Sequence, residues 1–78
     1  MSLSLYLVDK QKEYLIATGL NPETGKEKQI ADLKERYPSF NSNDQHARLD
    51  QSNPNRVWID FGSHDTFYMF EYEKAVEE

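Results

Sequence analysis

Arg56-Val57-Trp58-Ile59-Asp60-Phe61-Gly62-Ser63-His64-Asp65-Thr66-Phe67-Tyr68-Met69-Phe70-Glu71-Tyr72 is the stretch that decides the fold. Two runs rich in β-branched and aromatic residues flank Gly62-Ser63-His64-Asp65, a cluster of the residues turns prefer, so the segment reads as a β-hairpin. Strand side chains alternate between faces. For any two- or four-residue loop, Val57, Ile59 and Phe61 therefore share a face with Tyr68, Phe70 and Tyr72, while Trp58 shares the other with Phe67 and Met69. Rings stand on both faces of the hairpin, so both faces of the sheet carry aromatic residues.

Working toward the N-terminus, Leu3, Leu5 and Leu7 alternate with Ser4, Tyr6 and Val8, and Tyr14 to Thr18 resumes as a second strand ending at Gly19. With Lys10-Gln11 as a two-residue turn, Leu7 faces Tyr14 and Leu5 faces Ile16. A helix starts between Asn21-Pro22, which puts Pro at the first helical position, and Thr24-Gly25-Lys26-Glu27, which offers a capping box. Ile30, Leu33 and Tyr37 give it one narrow apolar stripe, and Pro38 ends it. That stripe is expected to lie on the sheet face bearing Leu5, Ile16, Ile59 and Phe70. Residues 39–55 are rich in Ser, Asn, Asp and Gln, too long a run to be structureless in a small domain. A short helix near 43–49 is one reading. The other is a strand from His46 to Asp50 that returns through Gln51-Ser52-Asn53-Pro54-Asn55; it sets Leu49 near Val57 and Ala47 near Ile59, and this agreement of apolar parity favours it. The fold class is α+β, a single domain over residues 1–78, with a mainly antiparallel sheet in the order ββαβββ and one helix on one face.

A chain of 78 residues has room for one domain. Cysteine is absent, which excludes disulfides, thiolate zinc sites, iron–sulfur ligation and cysteine nucleophiles together. No stretch approaches the roughly 18 apolar residues of a membrane span, and Met1 to Val8 lacks the charged and apolar regions of a secretion signal. A soluble, cytoplasmic protein without a membrane partner is expected. The net charge is −5, of which Glu71, Glu73, Glu77 and Glu78 against Lys74 carry −3. A solvated acidic tail over about 73–78 is the expected reason, and a surface that engages a basic partner is the alternative. The nine basic residues are scattered among acids, which disfavours binding to a phosphate backbone.

Apparent catalytic vocabulary dissolves on inspection. Ser63-His64-Asp65 are adjacent, project in different directions and cannot form a nucleophile–base relay. Gly19 to Lys26 follows a strand and precedes a helix as a phosphate loop does, but five residues separate its glycines and Glu27 stands where the hydroxyl belongs. His46 and His64 define no shared metal site; His46 falls opposite Asp60, where a surface histidine–carboxylate pair is the simpler expectation. Asp44, Asp50 and Asp60 lack the ligand spacing of a calcium loop. No cofactor is expected.

The expected function is non-catalytic: a small accessory or regulatory interaction module. With one helix available, the sheet face carrying Trp58, Phe67 and Met69 should lack cover, with Arg56, Asp60 and Glu71 at its rim. Arg56, Trp58, Asp60, Phe67 and Met69 are the candidate binding residues, and the partner is another protein or a second copy of the chain. The tail, or residues 39–45 through Phe40, could instead fold over this patch. Two alternatives use the same region: single-stranded nucleic acid stacked on the rings, or a small-molecule enzyme with polar groups around His64, Asp60 and Asp65.

Overall fold

The computed structural model describes residues 2–73. The acidic tail expected at 73–78 lies, from residue 74 on, outside the described residues. Strands β1 (Ser2–Asp9) and β2 (Lys12–Leu20) are followed by helix α1 (Pro22–Arg36) and by β3 (His46–Leu49), β4 (Arg56–Asp60) and β5 (Thr66–Glu73). This is the expected ββαβββ order. All pairings are antiparallel, and the sheet runs β2-β1-β5-β4-β3, so the first and last strands lie side by side at its centre.

The first hairpin turns at Lys10-Gln11, whose φ values of 52° and 72° are the paired left-handed conformations of a type I′ turn. Leu7 faces Tyr14 as expected. Leu5 faces Ala17 rather than Ile16, because β2 carries one extra residue between Leu15 and Ala17 and another before Leu20. The second lies beside Gly19 at φ +69°. Such bulges add twist and bend the strand. Ile16 still packs against the core.

Asn21 caps α1: its Oδ1 accepts from the Thr24 amide at 2.8 Å, and the Thr24 hydroxyl oxygen accepts from the Asn21 amide at 3.0 Å. The helix thus starts at Asn21-Pro22, with Pro22 at the first helical position, and the capping box expected over Thr24–Glu27 forms instead between Asn21 and Thr24. The helix ends one residue before Tyr37, since a residue preceding proline avoids the helical conformation. It lies on the expected sheet face, but its buried stripe is Gly25, Gln29 and Leu33 rather than Ile30, Leu33 and Tyr37. Tyr37 is half-buried beside the core, and Ile30 lies outside the central cluster. A Cβ on Gly25 would stand 3.1 Å from a ring carbon of Phe70, so glycine is what lets the helix settle this low. Gln29 is buried because its amide donates to the side-chain oxygen of Gln45, which ties the long loop to the helix.

The core joins Leu5, Leu7, Leu33, Phe61 and Tyr68, with Ile16, Leu20, Tyr37, Phe40, Ile59 and Phe70 packed around them. Phe61 stacks on Tyr37 at 5.3 Å and meets Phe40 edge-on at 5.1 Å. Tyr68 carries a polar group through this layer. Its hydroxyl donates to Asp32 at 2.6 Å, and Asp32 also accepts from the Arg36 guanidinium at 2.8 Å. Burial first, and this bond second, push the Tyr68 phenol well above its usual range.

Register sorts the rest of the sheet into two surfaces. Tyr14, Leu7, Tyr68, Ile59 and Ala47 form one row across all five strands on the helix side; Leu15, Tyr6, Met69, Trp58 and Arg48 form the matching row on the other. The loop between the ends of β4 and β5 is residues 61–65, five residues where two or four were expected. Ile59 nevertheless pairs with Tyr68, Trp58 with Met69 and Val57 with Phe70, so the expected parity survives.

Candidate functional site

On the helix-free face, alternation along β4 puts Arg56, Trp58 and Asp60 in line, and β5 sets Phe67 and Met69 beside them. Trp58 and Phe67 are half-buried and meet edge to face, their ring centres 6.3 Å apart. The expectation that Met69 belongs to an exposed patch needs correction. Met69 stands on this face beside Trp58 but has no exposed surface, so it offers nothing to a partner. The other four candidates line one open groove of about 970 Å³, together with Val8, Lys10 and Glu13 from the first hairpin and Arg48 and Asp50 from the β3 side.

Two anchors set the walls. At one side the Lys10 amide donates to the Asp65 carbonyl at 3.0 Å and the Thr66 hydroxyl donates to Asp9 at 2.9 Å, which fixes the tip of the first hairpin against the start of β5. At the other side Asp50 Oδ2 accepts the Trp58 indole N–H at 2.9 Å, while its Oδ1 accepts from the Ser52 amide and hydroxyl and the Asn53 amide. These donors, the indole foremost, hold the Asp50 carboxyl down at about 2. The indole ring is therefore pinned in its plane by a carboxylate that stays ionised at any physiological pH.

The charges around the groove are paired in part. Arg56 donates to Glu71 at 3.0 Å, a contact that raises the guanidinium's affinity for its proton, and Glu13 and Asp50 add weaker attraction from either wall. Arg48 lies 3.5 Å from Asp60, whose other oxygen accepts the Gly62 amide. His46 does stand opposite Asp60 in register, as expected, but Arg48 is the cation that Asp60 engages. Among the described residues, Lys10, Glu13, Asp50 and Asp65 take part in no ion pair.

Residues 39–45 leave the groove open, since Phe40 turns to the helix side and packs on Phe61 and Tyr37. His64 and Asp65 are exposed in the β4–β5 turn, with no hydrogen bond between their side chains among the described residues. No group of three or more potential ligands there could hold a metal. No described helix is long and apolar enough to cross a membrane. Gly25, the second glycine of the phosphate-loop comparison, serves contact with Phe70 inside α1.

Strand parity had already grouped Arg56, Trp58, Asp60 and Phe67. It missed Val8, Glu13, Arg48 and Asp50, which lie outside that hairpin and reach the groove by strand pairing, Val8 opposite Phe67 and Arg48 opposite Trp58, and through the Asp50–Trp58 hydrogen bond. For Asp50 a local signal existed: an Asp followed two residues on by Ser is the pattern of an Asx turn. No protein-family model matches this chain, and neither a curated protein nor a solved structure matches it.

Proposed function

We propose that this protein is a small, non-catalytic interaction module that receives a segment of another protein in the groove on its helix-free face. The observation that supports this reading is the groove itself: an aromatic floor of Trp58 and Phe67, held by Asp50 and flanked by polar residues, on a sheet whose single helix covers the opposite side. An apolar centre within a polar rim is the anatomy of a protein-binding surface, and aromatics and arginine are the residues such surfaces favour.

The concavity speaks for a foreign segment over a second copy. In a two-fold pair the same patch meets itself, and two facing hollows leave a void where an interface needs contact. The test is selection of peptides from a displayed random library against the purified domain. Selected peptides should lose binding to Trp58→Ala and keep it with Lys34→Ala on the far side of the helix, while sedimentation shows a monomer. Failure to select any peptide, indifference to Trp58, or a dimer abolished by Trp58→Ala would each overturn the reading.

A further inference from the structure

Resting on that reading, we infer that the occupant of the groove is a cationic, extended peptide segment, with lysine or arginine stems laid over Trp58 and Phe67 and a charged head directed to Asp50. The groove's ions carry the argument. Its two arginines each have an ion-pair partner within the protein, Arg56 in Glu71 at 3.0 Å and the more exposed Arg48 in Asp60 at 3.5 Å. The charges left without an ion pair among the described residues are the carboxylates of Glu13, Asp50 and Asp65 against the single ammonium of Lys10. The open groove is thus acidic in a chain that is itself acidic, with a net charge of −5.

Asp50 is suited to receive the head. Three of its four accepted bonds fall on Oδ1, and Oδ2 takes only the indole N–H. A carboxylate offers about four lone-pair positions over its two oxygens, so Oδ2 keeps one for an incoming donor. The indole bonded to that same oxygen presents its ring to the groove, and an ammonium or guanidinium over an indole face gains cation–π attraction. The methylene stems of such residues lie well on apolar surface while their heads stay hydrated. Other occupants fit worse. An anionic segment, or a nucleic-acid backbone, would set its charge beside three unpaired carboxylates. A wholly apolar one would strip water from them without replacing its hydrogen bonds.

Trp58 is the only tryptophan, so its emission reports on the groove directly. The probes are four: a short peptide alternating leucine with lysine, the same peptide with serine or with glutamate in place of lysine, and an oligothymidylate. The lysine peptide should shift the emission saturably, and its affinity should fall about tenfold with Asp50→Asn and again with rising salt. Glu13→Gln, which removes a carboxylate that makes no hydrogen bond among the described residues, should weaken it several-fold without touching the Asp50 turn. If the serine or glutamate peptide binds as tightly as the lysine peptide, the groove is a docking site but its cationic occupant is wrong. If oligothymidylate binds and the peptides do not, or if none of the four moves the emission, the interaction reading falls as well.

Discussion

The two faces of this one sheet are built from nearly the same kinds of residue and end in opposite states. On the helix side, Leu5, Leu7, Tyr68 and Phe61 are closed over by α1 and by the Tyr37–Phe40 corner. On the other side Trp58 and Phe67 stay half-open, fixed by polar anchors. The difference lies in how each face is held. Closely packed hydrocarbon resists change everywhere, whereas a ring pinned by one carboxylate keeps its position while leaving a surface free for contact. Close packing and an open, pinned ring thereby occupy separate faces.

The sharpest way to break this division is Leu33→Ala, which opens a cavity under a fully buried side chain and should cost about 2–5 kcal/mol by denaturant or thermal unfolding. A stability unchanged by it would mean that the helix side is not the core. Next comes Tyr68→Phe, which removes a donor from Asp32 and should cost about 1.5–3 kcal/mol, the range for hydrogen bonds to charged groups. Burial of this phenol, together with the bond, predicts alkaline sensitivity. Since the folded phenol holds its proton above the pH at which an unfolded tyrosine loses it, stability should be full below about pH 10 and fall beyond it. Tyr68→Phe should lose less than the wild type over that interval.

A smaller effect of opposite sign belongs to the turn at the groove's edge. Gln11→Gly relieves a left-handed conformation in a residue with a Cβ and should stabilise by about 1 kcal/mol, with the groove unchanged. The smallest effect sharpens the groove side. Asp50 titrates at about 2 in the folded chain and near 3.8 when unfolded, so the stability it lends is complete above about pH 4 and is lost as pH falls toward 2. Trp58 emission should change over that acid interval in the wild type and stay flat in Asp50→Asn.

The strands were legible in the sequence because side chains alternate with a period of two and the turn residues limit the register; the turn at 51–55 is what sets His46 opposite Asp60 and Leu49 opposite Val57. What escaped depends on contacts made at a distance. The bulges of β2 depend on how that strand is bent against β1, and the burial of Gly25 and Gln29 depends on Phe70 and Gln45, neither of them near in sequence. An apolar stripe cannot announce that a glycine is the point of closest approach. The site divides likewise: the residues of one hairpin could be grouped from parity, while Val8 and Glu13 join only because β1 pairs with β5 and brings the first hairpin alongside.

The adjacency of β1 and β5 has a kinetic consequence. Asp9 and Thr66 are bonded across 57 positions of chain, yet the strands they belong to form the middle of the sheet. The β1–β2 hairpin and α1 can take shape locally, but Leu5 and Leu7 have no Tyr68 or Phe70 to rest on until the last strand arrives. Closing so long a loop must precede its reward, which predicts a single cooperative refolding phase on the millisecond-to-second scale of non-local β topologies. During synthesis, the long edge of β1 stays open until β5 emerges, and that waiting interval is when the chain is most exposed to pairing with a neighbour.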